Sequence, residues 1–90
     1  MTHPILSAAY DLAARDGWQA VRRDAVAQAA GVSAGTVSNA YGSLDALRDE
    51  VMRMAVSERH ARLVLEGIVA RHPAVAGADA TLRAEALAAA

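Results

Sequence analysis

From residue 25 to residue 44 the chain carries no formal charge, yet Ser33, Thr36, Ser38, Asn39 and Ser43 crowd hydrogen-bonding groups into this stretch. An asparagine amide donates and accepts at once and can pair with the edge of adenine. Serine and threonine hydroxyls are permissive, and the methyls of Ala34 and Thr36 suit the thymine methyl. Arg22 and Arg23 stand just upstream, the residue type that holds a backbone phosphate. Chemistry of this kind is recognition. Catalysis finds little support: His3, His60 and His72 have no metal-ligand spacing, and no acidic residue is placed to orient the imidazole in the Ser57/His60 pair. There is no cysteine, hence no thiolate zinc site and no disulfide. There is also no phosphate loop or dinucleotide fingerprint. We expect a non-enzyme without cofactor or metal.

The elements that must carry these residues read as helices. Pro4 suits a first helical position behind a cap at His3. Ile5, Ala8, Ala9, Leu12 and Ala13 then fall on one helical face that Gly17 closes. A second, short helix runs from about Asp24 to Ala30 with Val26, Ala27 and Ala30 inward. Gly31 stops it. Ser33 caps a third helix over about Ala34 to Tyr41, ended by Gly42, and Ser43 caps a fourth that starts at Leu44 and extends as far as Arg71, where Pro73 ends it. Asp79 is placed to cap a last helix through Leu82 and Leu87. The charges Asp49/Arg53, Glu58/Arg62 and Asp79/Arg83 stand at i, i+4 and read as a solvated helix face.

Two short helices joined by Ala-Gly-Val-Ser fit a helix-turn-helix. Ala27, four residues before Gly31, lets the helices approach, and Val37, six residues after it, buries the second helix. In such a motif the second helix enters the major groove, here presenting Ala34, Gly35, Thr36, Ser38 and Asn39. Gly35 permits close backbone approach, and the helix start behind Ser33 can receive a phosphate. The competing reading is an ordinary solvated face for Thr36, Ser38 and Asn39, and charge partly neutralised by Asp24 for Arg22 and Arg23.

The residues Ile5-Leu6-Ser7-Ala8-Ala9 through Gly17-Trp18, then Val26 to Val37, and on to Tyr41-Gly42-Ser43 and Leu47, resemble the DNA-binding region of TetR-family transcriptional regulators. The resemblance covers roughly the first 50 residues. It implies an all-α, three-helix TetR-like domain and a homodimer on palindromic double-stranded DNA, most often as a repressor. It also implies that Trp18 and Tyr41 pack on the core; Tyr41, through its hydroxyl, and Ser43 are candidate DNA contacts as well. Three positions depart from the family's usual pattern: Arg22 stands where a capping Thr is usual, Ser38 where a phosphate-gripping Tyr is usual, and Leu44 where a Lys is usual.

The chain has 90 residues, 9 Arg, no Lys and 10 acidic residues, for a net charge of −1, which excludes the strongly basic class of nucleic-acid binder but not a local footprint. Alanine makes up 24 residues and brings little apolar area, so a second copy is expected to complete the core. We expect residues 1–50 to form the DNA-binding region and residues 51–90 a longer helix and a short C-terminal helix for dimerisation. Leu63, Leu65, Ile68, Val69, Leu82 and Leu87 would form the interface, with a folded-back hairpin as the alternative. The segment after the motif looks too short for an inducer cavity, so no small-molecule inducer is expected. The uncharged run is too polar and glycine-rich to cross a bilayer, and a cytoplasmic location is expected. The alternative function is a protein-interaction module on a helix-turn-helix scaffold that no longer binds DNA.

Overall fold

The computed structural model describes residues 4–89. Its elements are α1 (Pro4–Asp16), a 3-10 turn (Trp18–Ala20), α2 (Arg23–Ala30), α3 (Ala34–Tyr41), α4 (Leu44–Ser57), α5 (Ala61–Val69), α6 (Pro73–Ala76) and α7 (Ala80–Ala88). All regular structure among the described residues is therefore helical. They fall into two compact units, residues 1–51 and 52–90, with the division inside α4.

In the first unit α1 buries Ile5, Ala9, Leu12 and Ala13, at i, i+4, i+7 and i+8, and packs on α2, which in turn packs on α3. Pro4 opens α1, where a missing N–H costs nothing; the expected cap at His3 lies outside the described residues. Val21, Val26, Ala27, Val37, Leu47 and Val51 complete this core. The sequence pattern does not reveal the 3-10 turn after Gly17. Its anchor is Arg48, whose Nε donates to the Val21 carbonyl at 2.8 Å, while Trp18 Nε1 donates back to the Arg48 carbonyl at 3.1 Å. Trp18 thus packs part-buried within its own unit. Arg48→Ala leaves the buried Val21 without this partner and should lower unfolding free energy by about 1.5–2 kcal/mol. Urea denaturation compared with Arg48→Lys, which retains the charge but not the Nε geometry, checks this.

The second unit departs from the sequence reading at two joints. The fourth helix does not run to Arg71: α4 ends at Ser57. Arg59 takes a left-handed conformation at φ 55°, and the N–H groups of Arg59 and His60 close on the carbonyls of Val56 and Ala55. That is the hydrogen-bond pattern with which glycine usually ends helices. The arrangement recurs at the end of α5, where Arg71 sits at φ 57° and Arg71 and His72 close on Ile68 and Gly67. Each following histidine then caps the next helix. His60 Nδ1 accepts from the Leu63 N–H at 3.2 Å, and His72 Nδ1 from the Ala74 N–H at 3.0 Å. Pro73 accordingly opens α6 rather than merely ending a helix.

With α4 broken, Glu58 and Arg62 do not share a helix. Asp79 ion-pairs with Arg59 at 2.8 Å instead of with Arg83, and Glu85 lies 3.8 Å from the same guanidinium. Asp79 Oδ1 also accepts from the Leu82 N–H at 2.7 Å, so it caps α7 as expected. The Leu82 N–H, then the Arg59 guanidinium, hold the Asp79 carboxyl below the usual carboxylate range. A depressed folded value means that this link is intact above the ordinary aspartate value of about 3.9 and drains as pH falls through the lower folded value. Asp79→Asn should therefore flatten the acid limb of the chain's thermal-stability profile below about pH 4, read by circular dichroism.

Packing of α5 on α7 and α6 buries Leu63, Val64, Val75, Leu82 and Ala86. Gly67 sits at the tightest point: a Cβ there would lie 2.6 Å from Val75 Cγ1 and 2.7 Å from Met52 Sδ. Of the six residues expected at a dimer interface, Leu63 and Leu82 are enclosed in this unit's own core. Leu65 and Ile68 are half-buried, and Val69 and Leu87 are exposed at 76% and 57%. The helix pair α5 and α7 thus packs as a hairpin within the chain.

Candidate nucleic-acid interface

The turn between α2 and α3 is built on Gly31, at φ 72°, where an L side chain would be strained. Gly31 N–H reaches the Gln28 carbonyl and Val32 N–H the Ala27 carbonyl, so the chain reverses in a fixed direction. Ser33 then caps α3: its Oγ accepts from the Thr36 N–H at 3.1 Å and lies 2.9 Å from Thr36 Oγ1. The Thr36 hydroxyl is held by this cap, which leaves Asn39 the larger hydrogen-bonding capacity on the open face.

On α3 the two faces separate cleanly. Val37 is 3% exposed, and Ser38 and Tyr41 beside it are half-buried. Gly35, Thr36, Asn39 and Ala40 occupy the opposite arc and are exposed, as are Ser33 and Ala34 at the helix start. A Cβ on Gly35 would meet only Ser33 Oγ, at 3.8 Å, so nothing inside the protein requires a glycine there.

Arg22 and Arg23 begin α2 and both face solvent. Arg22 occupies the cap position in an extended conformation but contributes no side-chain cap bond. Neither arginine ion-pairs with Asp24 among the described residues. Arg23, Ser38 and Ser43 line one small cleft together with Val37 and Leu44. Ser43 also caps α4, its Oγ accepting from the Ala46 N–H at 3.1 Å. Burial, and secondarily Glu50, push the Tyr41 phenol above its ordinary value, so it stays protonated and able to donate.

A protein-family model described as bacterial regulatory proteins, tetR family, matches residues 5–51, just over half of the chain. The chain belongs to the TetR family. The match takes in α1 to α3 and the part of α4 that lies in the first unit, and the TetR helix-turn-helix is the α2–turn–α3 arrangement just described. This is a family of DNA-binding regulators. The helices α5 to α7 lie beyond the matched TetR region. Neither a curated protein nor a solved structure matches the chain.

The structure places the residues singled out in the sequence on α2, the turn, α3 and the start of α4, and it shows two arrangements that the sequence does not. Nothing in the sequence distinguishes Arg48 from other helix arginines until the 3-10 turn is in view. The grouping of Arg23 with Ser38 and Ser43 is equally hidden there, since it depends on where α4 starts relative to α2. Among the described residues no group of three or more His, Asp or Glu side chains is gathered as a metal site, and no helix is long and apolar enough to cross a membrane.

Proposed function

We propose that this TetR-family chain is a sequence-specific DNA-binding regulator that inserts α3 into the major groove of double-stranded DNA. Asn39 and the Thr36 methyl read base edges, with a preference for A·T pairs, and Ala34 and Gly35 allow the helix start to come close. Arg22 and Arg23, with Ser33, Ser38, Tyr41 and Ser43, hold phosphates on either side. The reading extends to a homodimer on a palindromic operator, half-site centres about 34 Å apart, acting as a repressor. The single observation that carries it is the open α3 face: Gly35, Thr36, Asn39 and Ala40 are all exposed while Val37 anchors the other side.

The test is a salt titration on a duplex selected from a random pool. Each protomer offers few cationic groups, so log affinity should fall with log salt at a shallow slope of about −0.9 per phosphate neutralised. Arg22→Ala with Arg23→Ala should weaken every duplex alike and make the slope shallower by about 1 for each phosphate left unneutralised. Asn39→Ala should instead relax preference at one base pair, at a cost of about 1–3 kcal/mol. A protein that ignores duplex DNA at low salt yet captures a defined partner protein would favour the interaction-module alternative.

A further inference from the structure

The second unit carries an open groove of about 530 Å³. One edge is a stripe of α7, Ala80, Arg83, Ala84 and Leu87, spaced at i, i+3, i+4 and i+7, so all four share one helical face. Ile68 and Val75 add apolar surface from α5 and α6. Two guanidiniums, Arg71 and Arg83, line the same groove, and no carboxylate does. Neither arginine forms an ion pair among the described residues. The carboxylates of α7 and its cap are committed elsewhere: Asp79 and Glu85 both face Arg59, at 2.8 and 3.8 Å. Arg71 is held at the turn between α5 and α6, its backbone fixed by the helix closure on Ile68.

Shape and charge together select the occupant. A small-ligand site encloses most of its ligand, whereas here Ala76, Ala80, Ala84 and Leu87 all stay exposed, so a small molecule laid on them would remain wet on its other side. A helix fits better. Alanines at Ala76, Ala80 and Ala84 let a second helix axis come near, and the stripe along α7 offers a ridge for it to pack against. We propose that this groove docks an amphipathic helix of another protein, its aliphatic edge on Ile68, Val75 and Leu87 and its flanking Asp or Glu side chains against Arg71 and Arg83. Opposite charge is what the two unneutralised guanidiniums ask of a partner. A second copy of this chain does not supply it. A two-fold contact through the groove would set Arg71 and Arg83 against the same cations of the other protomer, and like charges face to face disfavour association. The groove lies wholly in the second unit, so the proposal rests neither on the α3 face nor on the DNA reading.

The experiment is a display selection on the full chain, without DNA, from a library of helical peptides randomised at their outward positions. Enriched peptides should carry aliphatic residues at helical spacing with Asp or Glu beside them, and the best of them should bind one to one by fluorescence anisotropy. Changing its carboxylates to amides should weaken binding by roughly tenfold, and Arg71→Gly with Arg83→Gln should weaken the parent peptide to the same extent. Both changes together should cost little more than either alone, because each removes the same contact. The double variant should keep its Tm, since glycine suits the left-handed position of residue 71 better than arginine does. Arg83→Gln alone, a change on the exposed side of α7, serves if the double variant is less stable. Ala84→Trp, which fills the groove, should abolish binding. A library without enrichment, enriched peptides that are basic or lack helical spacing, affinity indifferent to the arginine variants or to Ala84→Trp, or a dimer in solution that Ala84→Trp dissociates would each overturn the proposal.

Discussion

Gly35→Glu should make the chain more stable while cutting its affinity for a selected duplex by roughly a hundredfold, the scale of several kcal/mol that like-charge juxtaposition costs. The two effects have separate origins. Gly35 lies in the first turn of α3 and a Cβ there meets nothing closer than Ser33 Oγ at 3.8 Å. Replacing glycine in a helix recovers backbone entropy, and an acidic side chain in the first turn complements the helix dipole. Together these should raise unfolding free energy by roughly 0.5–1 kcal/mol. On DNA the same carboxylate would face phosphates at the point of closest backbone approach. Thermal melting and fluorescence anisotropy on the one variant read both effects, and Gly35→Ala separates bulk from charge. Affinity equal to the parent's would mean that the start of α3 never approaches the duplex.

A valine at Gly67 should do the reverse, costing about 2–3 kcal/mol of stability through overpacking. Here even one added carbon would fall 2.6 Å from Val75 Cγ1 and 2.7 Å from Met52 Sδ. The methionine sulfur is on a flexible side chain and can retreat, but Val75 is branched at Cβ and 4% exposed, so it has little room to move. For a chain of this size the loss corresponds to roughly 8–24 °C in Tm. Gly67→Ala should cost less, because its helix propensity gain of about 1 kcal/mol offsets part of the strain. A Gly67→Val protein with an unchanged melting curve would contradict the packing of Met52 and Val75 against α5.

These two glycines mark what a sequence can and cannot say. The first unit is legible because its signals are local. Gly31 and Gly42 end helices, Ser33 and Ser43 cap the next ones, and each does so through its own neighbours. The boundaries of α3 follow directly from Ser33 and Gly42. In the second unit Asp79 is as plain a cap, but elsewhere the punctuation is unconventional. Arg59 and Arg71 occupy backbone positions that glycine or asparagine would announce, and His60 and His72 cap helices where Ser or Asp would be looked for. The apolar residues Leu47, Val51 and Met54, then Ala61, Leu65 and Ile68, fall in alternating steps of three and four interrupted at Glu58, so the run reads as one long helix although it belongs to two.

The candidate site is legible to the same degree. Exposure of Gly35, Thr36 and Asn39 follows from the helical period once Val37 is taken as the anchor. The involvement of the Thr36 hydroxyl in the Ser33 cap does not, because it depends on a side-chain rotamer. Nor does the freedom of Arg22 and Arg23 from Asp24, which adjacency in the sequence would make neighbours but which no ion pair joins. Tertiary assembly, through the part-buried Arg48–Val21 and Trp18–Arg48 bonds, supplies the rest of the scaffold.

The most direct test of the claim that α3 reads DNA is selection of bound sequences from a random duplex pool at low salt, followed by footprinting of the winner. The expected result is an enriched inverted repeat with half-site centres about 34 Å apart, protection on major-groove edges, and relaxed preference at one adenine when Asn39 becomes Ala. A pool that returns unenriched, or an enriched sequence whose preferences survive Asn39→Ala together with Gly35→Glu, would contradict it.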